Sequence, residues 1–179
     1  TVFLTAGTIA LIIGVMCTKW ITPLGDKRQL MVALSILNAI VMALFYFVPQ
    51  DAHGMMFFMN VLGALIAGPT IPLVWSMFAD VADYGEWKFG HRSTGLVFSG
   101  IQFAQKFGLA IGGAAAGWML SGFGYVADAE QSPEAIQGIR LMFTVLPALF
   151  AVGGVIAIWF YPITGKDVER MGQELAAKK

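Results

Sequence analysis

Lys106 is a cation in the middle of an apolar stretch, and its position alone points to chemistry. It lies eleven residues after Gly95 and fourteen before Leu120, about 16 and 21 Å from the ends of a helix over 95–120. A lysine stem snorkels over only part of that distance. An ammonium at the bilayer centre costs roughly 2.5–3.5 kcal/mol on insertion scales. Such a charge calls for a water-filled cavity, a bound ligand or a partner carboxylate; the plainer reading is a structural lysine in a differently bounded helix. Gln102 precedes it by one helical turn and Gln105 is its neighbour. Residues i and i+4 share a helix face, so Gln102 and Lys106 can address one cavity. Two amides and an ammonium supply several donors and two carbonyl acceptors, a set suited to a polyhydroxyl ligand. The same glutamines also serve as glue between membrane helices.

Two further groups carry possible chemistry. Gly68-Pro69-Thr70-Ile71-Pro72 is followed by Trp75. The prolines remove backbone donors and weaken a helix there, and broken membrane helices are used at transporter binding sites. Trp75 could stack on a sugar ring or serve as an anchor at the membrane interface. The segment Asp80-Val-Ala-Asp83-Tyr84-Gly-Glu86-Trp87-Lys88-Phe-Gly-His91-Arg92 mixes both charge signs at close range. If the preceding helix continues, Asp80 and Asp83 share a face and could hold and release basic residues of a neighbouring loop. Asp80, Asp83, Tyr84, Glu86 and Arg92 are therefore candidates for a gating loop, against a merely solvated one.

The elements that position these residues are membrane helices. Of 179 residues, 58% are hydrophobic and 12% charged, outside the balance of a soluble domain. A formal net charge of zero argues against a nucleic-acid partner, and the lone Cys17 offers neither a disulfide nor a cysteine metal site. About 20 apolar residues span a bilayer, which predicts five spans at 1–17, 30–48, 55–79, 95–120 and 139–163. Connecting loops fall at 18–29, 49–54, 80–94 and 121–138, and 164–179 is a tail. No Asp or Glu lies within these spans, so a partner for Lys106 must be substrate, water or an acid from elsewhere. The chain opens in an apolar run without an initiator Met, which reads as a piece of a longer membrane protein.

Charge gives the orientation. Lys19, Lys27, Arg28, Lys88, Arg92, Lys166, Arg170, Lys178 and Lys179 fall on one side, nine against Arg140 on the other. The basic side is expected to be cytoplasmic, with the carboxyl end inside. Thr164 and Asp167 fit a capping pair for a tail helix whose Val168, Met171 and Leu175 share a face, though a solvated tail is equally compatible. Ser132-Pro133-Glu134 has the chemistry of a helix start. His53 and His91 belong to loops on opposite sides, so no common metal site is expected. Asn38 and Asn60 read as interhelical glue. Gly108/Gly112 and Gly113/Gly117 have the spacing that brings helix backbones together, for packing or for sliding.

The segment PTIPLVWSMFADVADYGEWKFGHRSTGLVFSGIQFAQKFGLAIGGAAAGW resembles the glycoside–pentoside–hexuronide:cation symporters, the melibiose-permease-like branch of the major facilitator superfamily. ADVADYGEWK and the downstream QK are its specific signals, and the similarity runs through all 179 residues. The resemblance implies an all-α membrane fold of twelve helices in two bundles. Residues 1–163 would form the C-terminal bundle from the end of the eighth helix, and 164–179 a cytoplasmic tail. It implies a bacterial inner-membrane protein moving a sugar with H⁺, Na⁺ or Li⁺, with lipid and the remaining N-terminal helices as partners and no other cofactor. Lys106 matches the family's cavity lysine on the eleventh helix, and Gln102 falls at a sugar-proximal position whose identity varies. His91 and Phe89 stand where Lys or Arg and Thr are frequent. The main cation carboxylates belong to N-terminal helices outside this chain. A non-transporting membrane scaffold would explain the packing glycines but not a midspan lysine. An intramembrane enzyme would need a nucleophile or metal cluster at depth, and no Asp, Glu or His lies in an expected span.

Overall fold

A computed structural model describes residues 1–49 and 51–177, and the secondary structure among them is helical. In chain order these are α1 Val2–Ile21, α2 Lys27–Phe45, α3 His53–Ala67, α4 Thr70–Phe89, α5 Thr94–Gly122, α6 Pro133–Phe143, α7 Val145–Trp159 and α8 Gly165–Ala177, with a 3-10 turn Thr22–Leu24 after α1. Four stretches are long and apolar enough to cross a membrane: Val2–Leu24, Lys27–Phe45, His53–Phe89 and Pro133–Trp159. The remaining expected span is α5. At 29 residues it is the longest helix, about 43 Å, but Gln102, Gln105, Lys106 and its glycines dilute its hydropathy. Within the bundle α2 packs along α7, and α1 along α3.

Two spans are broken helices, and proline sets each break. Pro69 cannot donate to Leu65, nor Pro72 to Gly68, so the chain steps from α3 to α4 at Gly68-Pro69. Local donors repair part of the loss: Ile71 N donates to Gly68 O at 3.3 Å, and Thr70 Oγ1 to Ala67 O at 2.6 Å. The crossing of α1 over the step is closer than a side chain allows. A Cβ on Gly14 would collide with the Leu65 carbonyl, and one on Gly68 would stand 2.7 Å from Gly14 Cα. The last span divides at Thr144, with φ −124° and ψ −69°, because Pro147 cannot donate to Phe143. Thr144 is 2% exposed and its hydroxyl donates to Arg140 O at 2.6 Å.

These breaks shift several expected boundaries. α4 continues to Phe89, so the loop expected at 80–94 shrinks to 90–93, and Asp80, Asp83, Tyr84 and Glu86 are helical. Only Arg92 of the expected gating loop lies in the link. Lys19 closes α1, and Lys27 and Arg28 open α2 instead of lying in a loop. His53 is the first residue of α3, not a loop residue. α6 begins at Pro133, capped by Ser132 Oγ accepting from Ala135 N at 3.1 Å. The expected loop at 121–138 is shortened accordingly. Asn38 Nδ2 donates to Gly63 O at 2.9 Å and Asn60 Nδ2 to Phe3 O at 2.8 Å, the interhelical role expected of both. Arg140, opposite the basic side, donates to Tyr46 O and Val48 O at 2.6 Å each, and covers the carbonyl end of α2.

The tail forms α8. Asp167 Oδ2 accepts from Thr164 N at 2.9 Å and from Thr164 Oγ1 at 2.7 Å, and Met171 is 2% exposed. Lys178 and Lys179, counted in the charge asymmetry, lie outside the described residues.

Gly14→Ala should lower stability by about 1–3 kcal/mol through overpacking. Gly54→Ala, whose Cβ meets nothing within 4 Å, should leave thermal unfolding in detergent nearly unchanged. The Thr164 hydrogen bonds hold the Asp167 carboxyl below its ordinary pKa. A depressed carboxylate stabilises the fold above its unfolded pKa and loses that contribution as pH falls through the folded value. Amide exchange in α8, corrected for intrinsic rate, should therefore lose protection below about pH 4; Asp167→Asn should remove that dependence.

Candidate functional site

The residues that could handle a substrate lie where α4 meets α5. Trp75 stacks on Phe98, with ring centroids 6.2 Å apart and planes 13° apart. Phe78 meets it edge-on at 5.8 Å, both within the range of favourable aromatic pairs. Phe98, Gln102 and Lys106 follow at i, i+4 and i+8 and continue the stripe along α5. Gln105 sits one residue off it. Gln102, Gln105 and Lys106 are exposed. Among the described residues Lys106 has no hydrogen-bond or ion-pair partner. α5 buries none of its residues, so this stripe is an open wall with an aromatic shelf at one end. Trp75 is conspicuous in the sequence, whereas Phe98 is revealed only by the α4–α5 contact.

The second constellation is ionic and sits at the basic side. Asp80 is 8% exposed and accepts from Lys27 Nζ through both oxygens, at 2.9 and 2.7 Å. It thus ties α4 to the start of α2. Asp83 and Glu86 turn instead to Arg92, at 2.8 and 3.6 Å. That arginine, in the four-residue link 90–93, anchors the base of α5 to α4. Asp80 and Asp83 therefore do not share a partner.

The same end receives the tail. Tyr84 Oη accepts from Lys88 Nζ at 2.9 Å. Trp87 Nε1 donates to Glu174 at 2.7 Å, Arg170 pairs with Glu174 at 2.7 Å, and Gly165 N donates to Asp26 Oδ2 at 2.7 Å. Tyr161 Oη donates to Met77 O at 3.2 Å. A cavity of about 190 Å³ lined by Asp26, Lys27, Asp80 and Tyr161 lies at this junction. In the sequence Lys27 marks only orientation; the one local signal for its role is its place beside the capping Asp26, which accepts from Arg28 N at 3.1 Å. Among the described residues no three His, Cys, Asp or Glu side chains converge as for a metal.

A family model described as MFS/sugar transport protein matches residues 1–165. The inner membrane symporter YicJ of Escherichia coli (strain K12) is 36% identical over 180 residues, covering 99% of this chain and 39% of that relative. The isoprimeverose transporter of Lactiplantibacillus pentosus is 35% identical across 85% of this chain and 32% of its own length. A glucuronide carrier protein homolog of Escherichia coli (strain K12) is 38% identical over 112 residues, 63% of this chain and 24% of that relative. The chain thus spans about two-fifths of the length of the inner membrane symporter it matches. No solved structure matches.

The Asp80–Lys27 pair is mostly withdrawn from solvent, with side-chain exposures of 10% and 26%. Removing one partner leaves a charge stranded, whereas removing both does not. Asp80→Asn and Lys27→Met should each destabilise the protein, and the double variant should recover part of the loss. A double-mutant cycle in detergent should give a coupling of about 1–3 kcal/mol.

Proposed function

The chain belongs to the MFS/sugar transport protein family, and from that premise we propose that it forms part of a carrier that moves a sugar across the bacterial inner membrane by alternating access. The family is one of transporters, not enzymes. We assign the chain to the C-terminal bundle of a twelve-helix carrier, with its basic end and α8 in the cytoplasm. The asymmetry of Lys and Arg supports that orientation: at the two ends of the bundle, Lys27, Arg28, Arg92 and Arg170 join contacts at one and Arg140 at the other.

The observation that carries the reading is the exposed stripe on α5. An ammonium and an amide one turn apart, beside a shelf of Trp75 and Phe98, offer donors for hydroxyls and an apolar face for a sugar ring. Glycosides, pentosides and hexuronides all present that chemistry. Lys106 responds electrostatically to the loaded state, with H⁺, Na⁺ or Li⁺ as the coupling cation held by carboxylates elsewhere in the carrier. Gln105 borders the same wall. Asp80, Asp83, Tyr84, Glu86 and Arg92 act as a latch. Asp80 fixes α4 to α2, while the Arg92 pairs, 51% exposed on the arginine side, are weak enough to open and reform.

Lys106→Ala or Lys106→Val in the full-length carrier should abolish coupled uptake in proteoliposomes while leaving membrane insertion intact. Normal accumulation of sugar by either variant would sink the proposal. Screening sugars against H⁺, Na⁺ and Li⁺ gradients in the same vesicles would identify substrate and ion.

A further inference from the structure

α6 is joined to its neighbours in three ways, and none of them fixes it firmly. It meets α7 at Thr144, where φ is −124° and ψ −69° and Pro147 supplies no N–H to Phe143. On its flank it meets the far end of α5, where Phe123 lies against Gly138. Arg140 links it to α2: Nη2 donates to Tyr46 O and Val48 O at 2.6 Å each, and the guanidinium lies 5.4 Å from the Tyr46 ring.

Apolar packing adds little to that link. The residues that α6 buries are Ala135 and Gly138, which bring almost no side-chain area. Beneath it lies an apolar cavity of about 320 Å³, walled by Phe3 of α1, Phe45 and Val48 at the end of α2, Met56 of α3, and Ile136 and Phe143 of α6 itself. A second cavity of about 290 Å³ shares Phe3, Phe45 and Phe143 with the first. Protein interiors seldom leave voids much larger than a water molecule, so α6 spans this space without filling it.

We propose that α6 is a hinged lid over the cavity, turning about Thr144 and held down by Arg140. Glu134 stands ten residues before Thr144, about 15 Å along the axis; a turn of about 20° lifts that end by roughly 5 Å, enough to part Arg140 from its two carbonyls. Arg140 is only half-buried, so water can take over its donors as the clamp opens. The seat of Phe123 on Gly138 carries the far end of α5 with the lid. The inference concerns the packing of this chain and depends neither on the sugar site nor on the orientation in the membrane.

Cysteine reactivity tests the lid in the full-length carrier, purified in detergent with its native cysteines replaced by serine. Val48 lines the cavity and is 8% exposed; Ala148, beyond the hinge, is 8% exposed as well. The neutral reagent methyl methanethiosulfonate should modify Val48→Cys about tenfold faster once Arg140→Gln removes the two charge-assisted hydrogen bonds of the clamp, and Ala148→Cys no faster. Pro147→Ala restores an N–H at the hinge and should slow modification of Val48→Cys about fivefold with Arg140 in place. An unchanged rate in Arg140→Gln, or an equal rise at Ala148→Cys, which reports general unfolding, would overturn the lid. Pro147→Ala favours a continuous helix, so it decides the matter even if Arg140→Gln fails to fold: an unchanged or faster reaction at Val48→Cys would overturn the hinge.

Discussion

The Leu65 carbonyl has no helical donor, because the residue four places on is Pro69, and the bundle is arranged around that gap. In hydrocarbon an unsatisfied backbone group costs several kcal/mol, so the break must be covered by protein. α1 covers it by crossing at Gly14, where a side chain would strike the carbonyl. That crossing holds α1 against α3 and carries Asn60 to the carbonyl of Phe3. It also starts α4 afresh at Thr70, which lets α4 run on past the apolar region to Phe89. Every acidic residue of the proposed latch is thereby placed on a helix instead of a loop.

A helix of that kind changes the meaning of its charges. On a flexible loop, Asp80 would be solvated and its pairing worth little. At 8% exposure it needs Lys27, and α2 and α4 cannot separate at that end without stranding both charges. Arg92 is different: half exposed, and shared between Asp83 and Glu86 at unequal distances, it forms a contact that breaks at little cost. One strong tie and one weak tie lie less than a helix turn apart on α4. The strong one keeps α4 with the bundle; the weak one concerns α5 alone.

Most of the apolar stretches and the start of α6 are legible from hydropathy and capping, because those features rest on local composition; α5 nevertheless falls outside the four stretches apolar enough to cross a membrane, and the sequence leaves α8 even with a solvated tail. The boundaries around Asp80 and Thr144 were not legible. A charged run signals the end of an apolar stretch, yet nothing in it ends a helix until Gly90, whose φ of 73° suits glycine. Pro147 was visible, but a proline inside a long apolar run does not say whether the helix bends or restarts. Lys106, Gln102 and Trp75 could be picked out by residue type and depth. Phe98 could not, since one phenylalanine among 14 acquires meaning only from the indole stacked on it. The partner of Asp80 was equally hidden, because Lys27 lies 53 residues away.

The attachment of α5 bears on the proposal that Lys106 senses a substrate. α5 is joined to α4 at its base by the Arg92 ion pairs and the Trp75–Phe98 stack, and buries no residue along its length. Lys106 stands eight residues beyond Phe98, about 12 Å up the helix axis. With the stack as pivot, a tilt of about 15° displaces the ammonium by roughly 3 Å, the length of a hydrogen bond. A charge that costs a few kcal/mol when bare in lipid and gains when it meets an acceptor supplies the differential interaction that shifts a two-state equilibrium. The opposing contacts are an exposed ion pair and one aromatic stack at the base of α5, together with the packing of its far end on α6, where Phe123 lies against Gly138. Under the proposed sugar site, the position of α5 would follow the occupancy of the wall it forms, while the Asp80–Lys27 pair would hold α4 to α2.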